Sequence, residues 1–175
     1  MTGDLSMQDA IKEREEKIDQ YNLEISKKIS EVMTVGQSME EAQTLNHIFS
    51  IIGNAERIGD HALNIAGYAV LIQEKNLRFS DAALEELTEM KEFSQKLRDA
   101  ILNPKDPGKM AERVHAMERE TDLAVADYRK KQLIRLKGEI CSIESAIIYS
   151  ELLVDYERIG DHTLNIAQEF SGIRV

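Results

Sequence analysis

Apolar residues recur along this chain at steps of three, four and seven, in long runs separated by polar punctuation, and that spacing predicts five helices. Over about 6–35 the stripe is Ile11, Ile18, Ile25, Ile29 and Val32. Gly36 supplies a stop, and Ser38 with Glu41 has the form of a capping box opening a helix over about 39–75. The seam of that second helix is Ile48, Ile51, Ala55, Ile58, Ala62, Ile65 and Ala69. Polar residues 74–80 lead to a third helix over about 81–102, and Asn103-Pro104-Lys105-Asp106-Pro107-Gly108 breaks the pattern. A fourth helix covers about 109–137 and ends near Gly138. The fifth covers about 141–170, with Tyr149, Leu152, Tyr156, Ile159, Ile166 and Phe170 as its seam. No segment alternates with period two, so the fold class is all-α, its long helices antiparallel across short loops.

The ladders are interrupted by acids. In helix one, Glu15 stands between Ile11 and Ile18 where a core residue belongs, and Asp19 follows one turn later. In helix four, Val114, Glu118, Thr121, Val125 and Tyr128 form the ladder, with Asp122 one turn beyond Glu118. Helix two carries Glu56 and Asp60 in the sector of Phe49, Ile52, Gly53 and Leu63, while Asn54, Arg57, His61 and Tyr68 read as its polar sector. Helix five carries the matching pair Glu157 and Asp161. Like charges at i,i+4 weaken a helix by roughly 0.2–0.5 kcal/mol in water. Beside a core the cost rises, unless the groups are protonated, paired with cations or metal-bound.

These pairs are repeated. Glu-Arg-Ile-Gly-Asp-His-Ala-Leu-Asn-Ile-Ala at 56–66 returns at 157–167, a shift of 101, with Thr163 for Ala62 as the sole change. Glu15, Asp19, Lys27 and Lys28 return as Glu118, Asp122, Lys130 and Lys131, a shift of 103. Helices four and five therefore repeat helices one and two, and helix three has no earlier counterpart. The repeat divides the chain into 1–76 and 77–175. Oxygen-rich sites drawn from facing helices suit hard cations or iron, whereas Arg57–Asp60 and Arg158–Asp161 at i,i+3 would make simple salt bridges instead. Asn64 and Asn165 could orient the carboxylates or bond between helices. His61 and His162 point about 100° away from the aspartates they follow, toward solvent or a supporting role. Gly59 and Gly160 each cost about 1 kcal/mol relative to Ala, which suggests close helix approach or a local bend.

Composition narrows the partners. The net charge of −10 argues against a nucleic-acid backbone, and Arg129-Lys130-Lys131 with Arg135 and Lys137 reads as a solvated helix face. A single cysteine, Cys141, excludes an internal disulfide and fits a reducing compartment. There is no signal pattern at the start, and no run approaches the ~20 apolar residues of a membrane helix, so cytoplasmic placement without membrane insertion is expected. A ferritin-like di-iron oxidase needs paired Glu-x-x-His motifs, and only Glu112–His115 has that spacing; His47 and His115 read as ordinary surface or core histidines. No nucleophile elbow or glycine-rich phosphate loop appears.

The doubled Glu-Arg-Ile-Gly-Asp-His-x-x-Asn-Ile-Ala resembles the PhoU family of phosphate-transport regulators, including PhoU-like cytosolic domains of sodium/phosphate cotransporters. The resemblance spans almost the whole chain. It implies two tandem three-helix bundles, here with the first helix of repeat one missing. It also implies multinuclear iron or zinc clusters, manganese, magnesium or calcium being equally compatible with the carboxylates. Carried across, Glu15, Asp19, Glu56 and Asp60 form one metal site and Glu118, Asp122, Glu157 and Asp161 the other. The implied role is non-enzymatic, exerted through contact with a phosphate transporter and a sensor histidine kinase. Alternatives are the cytosolic regulatory domain of a cotransporter and a carboxylate-bridged di-metal enzyme. Without a third helix on the first bundle, part of its apolar seam would be exposed, to be covered by a second copy in a homodimer or by a missing segment.

Overall fold

Serine punctuation sets where three of the five helices begin. The computed structural model describes residues 6–173, so the N-terminal residues scanned for a signal pattern lie outside it. Its helices are α1 (Ser6–Met33), α2 (Met39–Glu74), α3 (Asp81–Leu102), α4 (Met110–Lys137) and α5 (Ile143–Gly172), with one 3₁₀ turn at Pro107–Lys109. No strand occurs among the described residues. Ser38 closes the predicted capping box: its Oγ accepts from the Glu41 N–H, and the Glu41 carboxylate accepts from the Ser38 N–H at 2.9 Å. Ser80 and Ser142 cap α3 and α5 in the same way, which is why α5 starts at Ile143 rather than near 141. α1 stops at Met33, slightly before the predicted end, and Gly36 takes φ +82° in the following turn. That left-handed conformation costs glycine nothing and other residues about 1–2 kcal/mol.

The spine of the molecule is α2 against α5, running antiparallel. His47 near the start of α2 meets Glu169 near the end of α5 at 2.6 Å, and Lys75 just after α2 meets Glu144 at the start of α5 at 3.8 Å. α1 lies on α2, α4 lies on α5, and α3 lies across both α4 and α5. The fully enclosed core sits under α3. Leu87 and Met90 pack with Val125, Tyr149, Leu152 and Leu153, and Leu97 and Ala100 pack with Met110, Val114 and Ala167. Among the described buried apolar residues only Ile29 belongs to α1 or α2.

Two seams therefore differ from their predicted burial. Ala55 and Ala62 in the α2 seam are exposed, whereas their α5 counterparts Tyr156 and Thr163 are buried. The reason is α3, which covers α5, while no described helix covers the matching face of α2. Phe170 is also exposed, because it lies on the last turn of α5 beyond Ala167, the final residue enclosed with α3 and α4.

The basic run of α4 is not a solvated face throughout. Arg135 is buried and forms a two-pronged pair with Glu86 of α3, Nη1 to Oε1 at 3.0 Å and Nη2 to Oε2 at 2.7 Å. The Tyr149 hydroxyl donates to the same carboxylate, and the guanidinium lies 5.0 Å over the Tyr149 ring. Lys131 bridges Asp127 at 2.8 Å and Arg129 bridges Glu157 at 2.7 Å. Burial, reinforced by the Glu86 carboxylate, pushes the Tyr149 hydroxyl far above its ordinary range.

Candidate metal centres

Each repeat places two carboxylates from one helix opposite an aspartate of its neighbour. Glu118 and Asp122 are one turn apart on α4, and α5 brings Asp161 to them, so that one oxygen from each residue lies within 4.8 Å of the other two. Glu15 and Asp19 of α1 meet Asp60 of α2 in the same arrangement. Of the eight predicted residues, six are thus gathered into two groups of three. Glu56 and Glu157 stand outside those groups, and Glu157 is held by Arg129.

Glycines stand where the helices meet at these points. A Cβ placed at Gly160 would sit 3.9 Å from Glu118 Cγ, and one at Gly59 would sit 3.9 Å from Glu15 Cγ. Both are ordinary contact distances, so close approach is real but leaves room for a methyl group. Gly160→Ala is expected to stabilise the protein by about 0.5–1 kcal/mol, the helix-propensity gain, with chemical denaturation as the check. A loss of stability would show that α5 needs glycine flexibility here.

Like charge is concentrated in both groups. Burial, then the neighbouring Asp122 and Asp161, raises the Glu118 carboxyl above its ordinary range. Burial and Asp161 raise Asp122 likewise. Burial followed by Asp19 and Asp60 raises Glu15, and burial with Asp60 and Asp19 raises Glu56. Asp122 Oδ1 is buried and unpaired while Glu118 is ionised, and a proton on Glu118 would let that carboxyl donate to Asp122. A buried acceptor left unsatisfied costs about 1–3 kcal/mol, more when charged, and a cation among these oxygens would remove that cost. The salt-bridge alternative holds for one repeat only. Arg158 reaches Asp161 at 3.1 Å, while Arg57 and Asp60 form no ion pair among the described residues. The two sites also differ in shelter: Glu118 is 9% exposed under α3, whereas Glu15 is half-buried and Asp19 and Asp60 are exposed.

The polar sector read for α2 proves to be its interface with α5. His61 and His162 stack there with ring centroids 5.6 Å apart and planes 20° from parallel. His61 Nδ1 lies 2.7 Å from Asp155 Oδ1, and Asn64 donates to the same oxygen at 3.3 Å. His162 Nδ1 lies 3.0 Å from Asn54 Oδ1, to which Asn165 donates at 3.1 Å. Asn64 and Asn165 thus bond between helices instead of supporting the carboxylates. Asp155 and Asn54 are repeat equivalents at the shift of 101, so each half presents its own histidine to the other half's acceptor. Burial, then the facing His61, depresses the His162 imidazole below its usual range. His47, read as ordinary, pairs with Glu169, and that pairing with the Ser50 hydroxyl bond lowers the Glu169 carboxyl. His115 is exposed, as read.

The sequence matches the family model described as PhoU domain over residues 1–69 and 85–170. It is 26% identical over 160 residues to the phosphate-specific transport system accessory protein PhoU homolog 1 of Thermotoga maritima, covering 90% of this chain and 68% of that relative. The fold is similar to the crystal structure of PhoU from Pseudomonas aeruginosa, with a TM-score of 0.86 at 20% identity over 96% of this chain and 81% of that one. It is also similar to the phosphate transport system regulatory protein PhoU from Streptococcus pneumoniae, with a TM-score of 0.81 at 20% identity over 97% and 79% of the two chains.

Proposed function

Because this chain belongs to the PhoU family, we propose that it regulates phosphate uptake or phosphate signalling without catalysing a reaction. It acts as a helical platform that contacts a phosphate transporter, a sensor histidine kinase or both. Its two units are 1–76 and 77–175, each built around one carboxylate set. The expected setting is the cytoplasm; no described helix is long and apolar enough to cross a membrane.

Each carboxylate set holds metal in this reading. Glu118, Asp122 and Asp161 bind in the second unit and Glu15, Asp19 and Asp60 in the first, with Glu157 and Glu56 completing the sets. The bound cation supplies charge neutralisation and a cross-link between two helices. The observation that carries the metal assignment is the convergence of Glu118, Asp122 and Asp161 oxygens within 4.8 Å of one another beside a core, a set of acceptors that one oxygen-seeking cation would satisfy together.

Elemental analysis of protein purified without a metal column tests this directly. Metal at a fixed ratio to chain is expected in the wild type, and a clear fall is expected in Asp122→Asn/Asp60→Asn. Adding the identified cation to stripped wild type should also raise stability, by about 4 kcal/mol at a thousandfold excess over Kd. Absence of metal together with no stabilisation would refute the cluster assignment. The regulatory assignment has a separate test in phosphate uptake. Cells lacking this chain should import phosphate without restraint when phosphate is plentiful, and uptake that stays normal would count against it.

A further inference from the structure

Two large isoleucines stand exposed where α4 turns toward α5, Ile134 at 68% and Ile140 at 63%. Neither position is imposed by the local fold. At the shift of 103, Ile134 has Glu31 as its equivalent in the first repeat, an exposed charge. Ile140 closes a turn of the same form as the one that ends α2. After α2, the Leu77 N–H bonds to the Ile72 carbonyl at 2.9 Å and the Asn76 N–H to Gln73 at 3.1 Å. After α4, the Ile140 N–H bonds to Arg135 at 3.0 Å and the Glu139 N–H to Leu136 at 3.2 Å. The apolar residue that closes such a turn commonly packs back onto its helix. Leu77 packs against the core, whereas Ile140 stays largely in solvent.

The two isoleucines edge a cleft of about 580 Å³ between the end of α4 and the start of α3, a size that accepts a small ligand or a few side chains. Its floor is the buried Glu86–Arg135 pair with Tyr128 beside it. That floor is already satisfied, since Arg135 neutralises Glu86 and Asp127 holds Lys131 at 2.8 Å. The α3 wall is not. Asp81, Glu85 and Glu89 follow one another at single-turn spacing, all exposed, and none forms an ion pair among the described residues. Glu89 accepts from the Tyr128 hydroxyl, a neutral donor. Like charges at this spacing oppose one another, so cations brought along the wall relieve that repulsion.

An apolar lip facing an acidic wall selects its occupant. A helix laid in the cleft can set apolar side chains against Ile134 and Ile140 and place Lys or Arg, one turn apart, against Glu85 and Glu89. An acidic segment would meet that wall with like charge, and so would a second copy of this chain, whose net charge is −10. We propose that the α3–α4 cleft docks a basic amphipathic helix of a partner protein, anchored by Ile134 and Ile140 and aligned by Glu85 and Glu89. Its place in regulation rests on the contact role proposed above; the binding itself does not.

The test is fluorescence anisotropy with a labelled helical peptide of about 14 residues, built from Leu and Lys, added to the whole purified chain at physiological salt. Ile134→Glu restores the first repeat's own residue, and Glu85→Lys reverses the wall. Both positions are exposed, so circular dichroism should show folding unchanged. Wild-type binding that weakens about 10-fold or more in each variant, but not in Glu24→Lys on α1, is the expected result. No binding at about 100 µM overturns the proposal, as does binding that Ile134→Glu and Glu85→Lys leave intact. A matching Leu and Glu peptide that binds as well overturns it too. So does a wild-type dimer in sedimentation that Ile134→Glu abolishes, since the cleft then belongs to a second copy. The readout is on purified protein, so an unaltered phosphate uptake in cells bears on the regulatory role alone.

Discussion

Glu86→Ala is expected to lower stability by about 3–5 kcal/mol, because it leaves the Arg135 guanidinium buried without its anion. For a chain of this size that is a fall in melting temperature of roughly 6–20 °C, readable by calorimetry. Both side chains are 9% exposed, so the guanidinium loses its anion in a largely sheltered place. The double replacement Glu86→Leu/Arg135→Met should recover most of the loss. Buried pairs are often matched by well-packed apolar residues of similar volume. A single variant as stable as wild type would mean that Arg135 escapes to solvent when unpaired.

The second large effect is expected at the seam between the halves. Asp155 is 4% exposed and accepts from both His61 and Asn64; Asp155→Ala strands the half-buried His61 donor in the α2–α5 interface, while the exposed Asn64 amide turns to water. A loss of about 1–3 kcal/mol follows from that unpaired donor. Asp155→Asn should cost no more than about 1 kcal/mol, because the amide oxygen can accept as Asn54 does from His162. Denaturant titration of the two variants separates loss of hydrogen bonding from loss of charge. Equal losses in both would show that the negative charge, not the acceptor, is what α2 requires.

Much of this architecture was legible before any coordinates. Serine caps, Gly36 and the Pro-rich break mark helix ends through local backbone chemistry, and local chemistry is what a sequence displays. Glu118 was found because a charged residue in an apolar ladder contradicts its own surroundings, and the structure brings it together with Asp122 and Asp161. The α2 polar sector was misjudged for the opposite reason. Asn54, His61 and Asn64 are as polar as surface residues, and their partners Asp155, His162 and Asn165 lie about ninety or more positions away. One signal was present: the equivalence of Asn54 and Asp155 continues the repeat two residues upstream of the identical stretch. The Glu86–Arg135 pair offered no such hint. α3 has no repeat counterpart, so nothing in the first unit points to an acid facing that arginine.

Adjacent residues on α2 and α5 serve two places at once. Asp60 and Asp161 belong to the carboxylate groups, and the next residues, His61 and His162, form the stack between the halves. A change in how α5 sits against α2 must therefore move a carboxylate group and the histidine stack together, because a single residue step separates them on each helix.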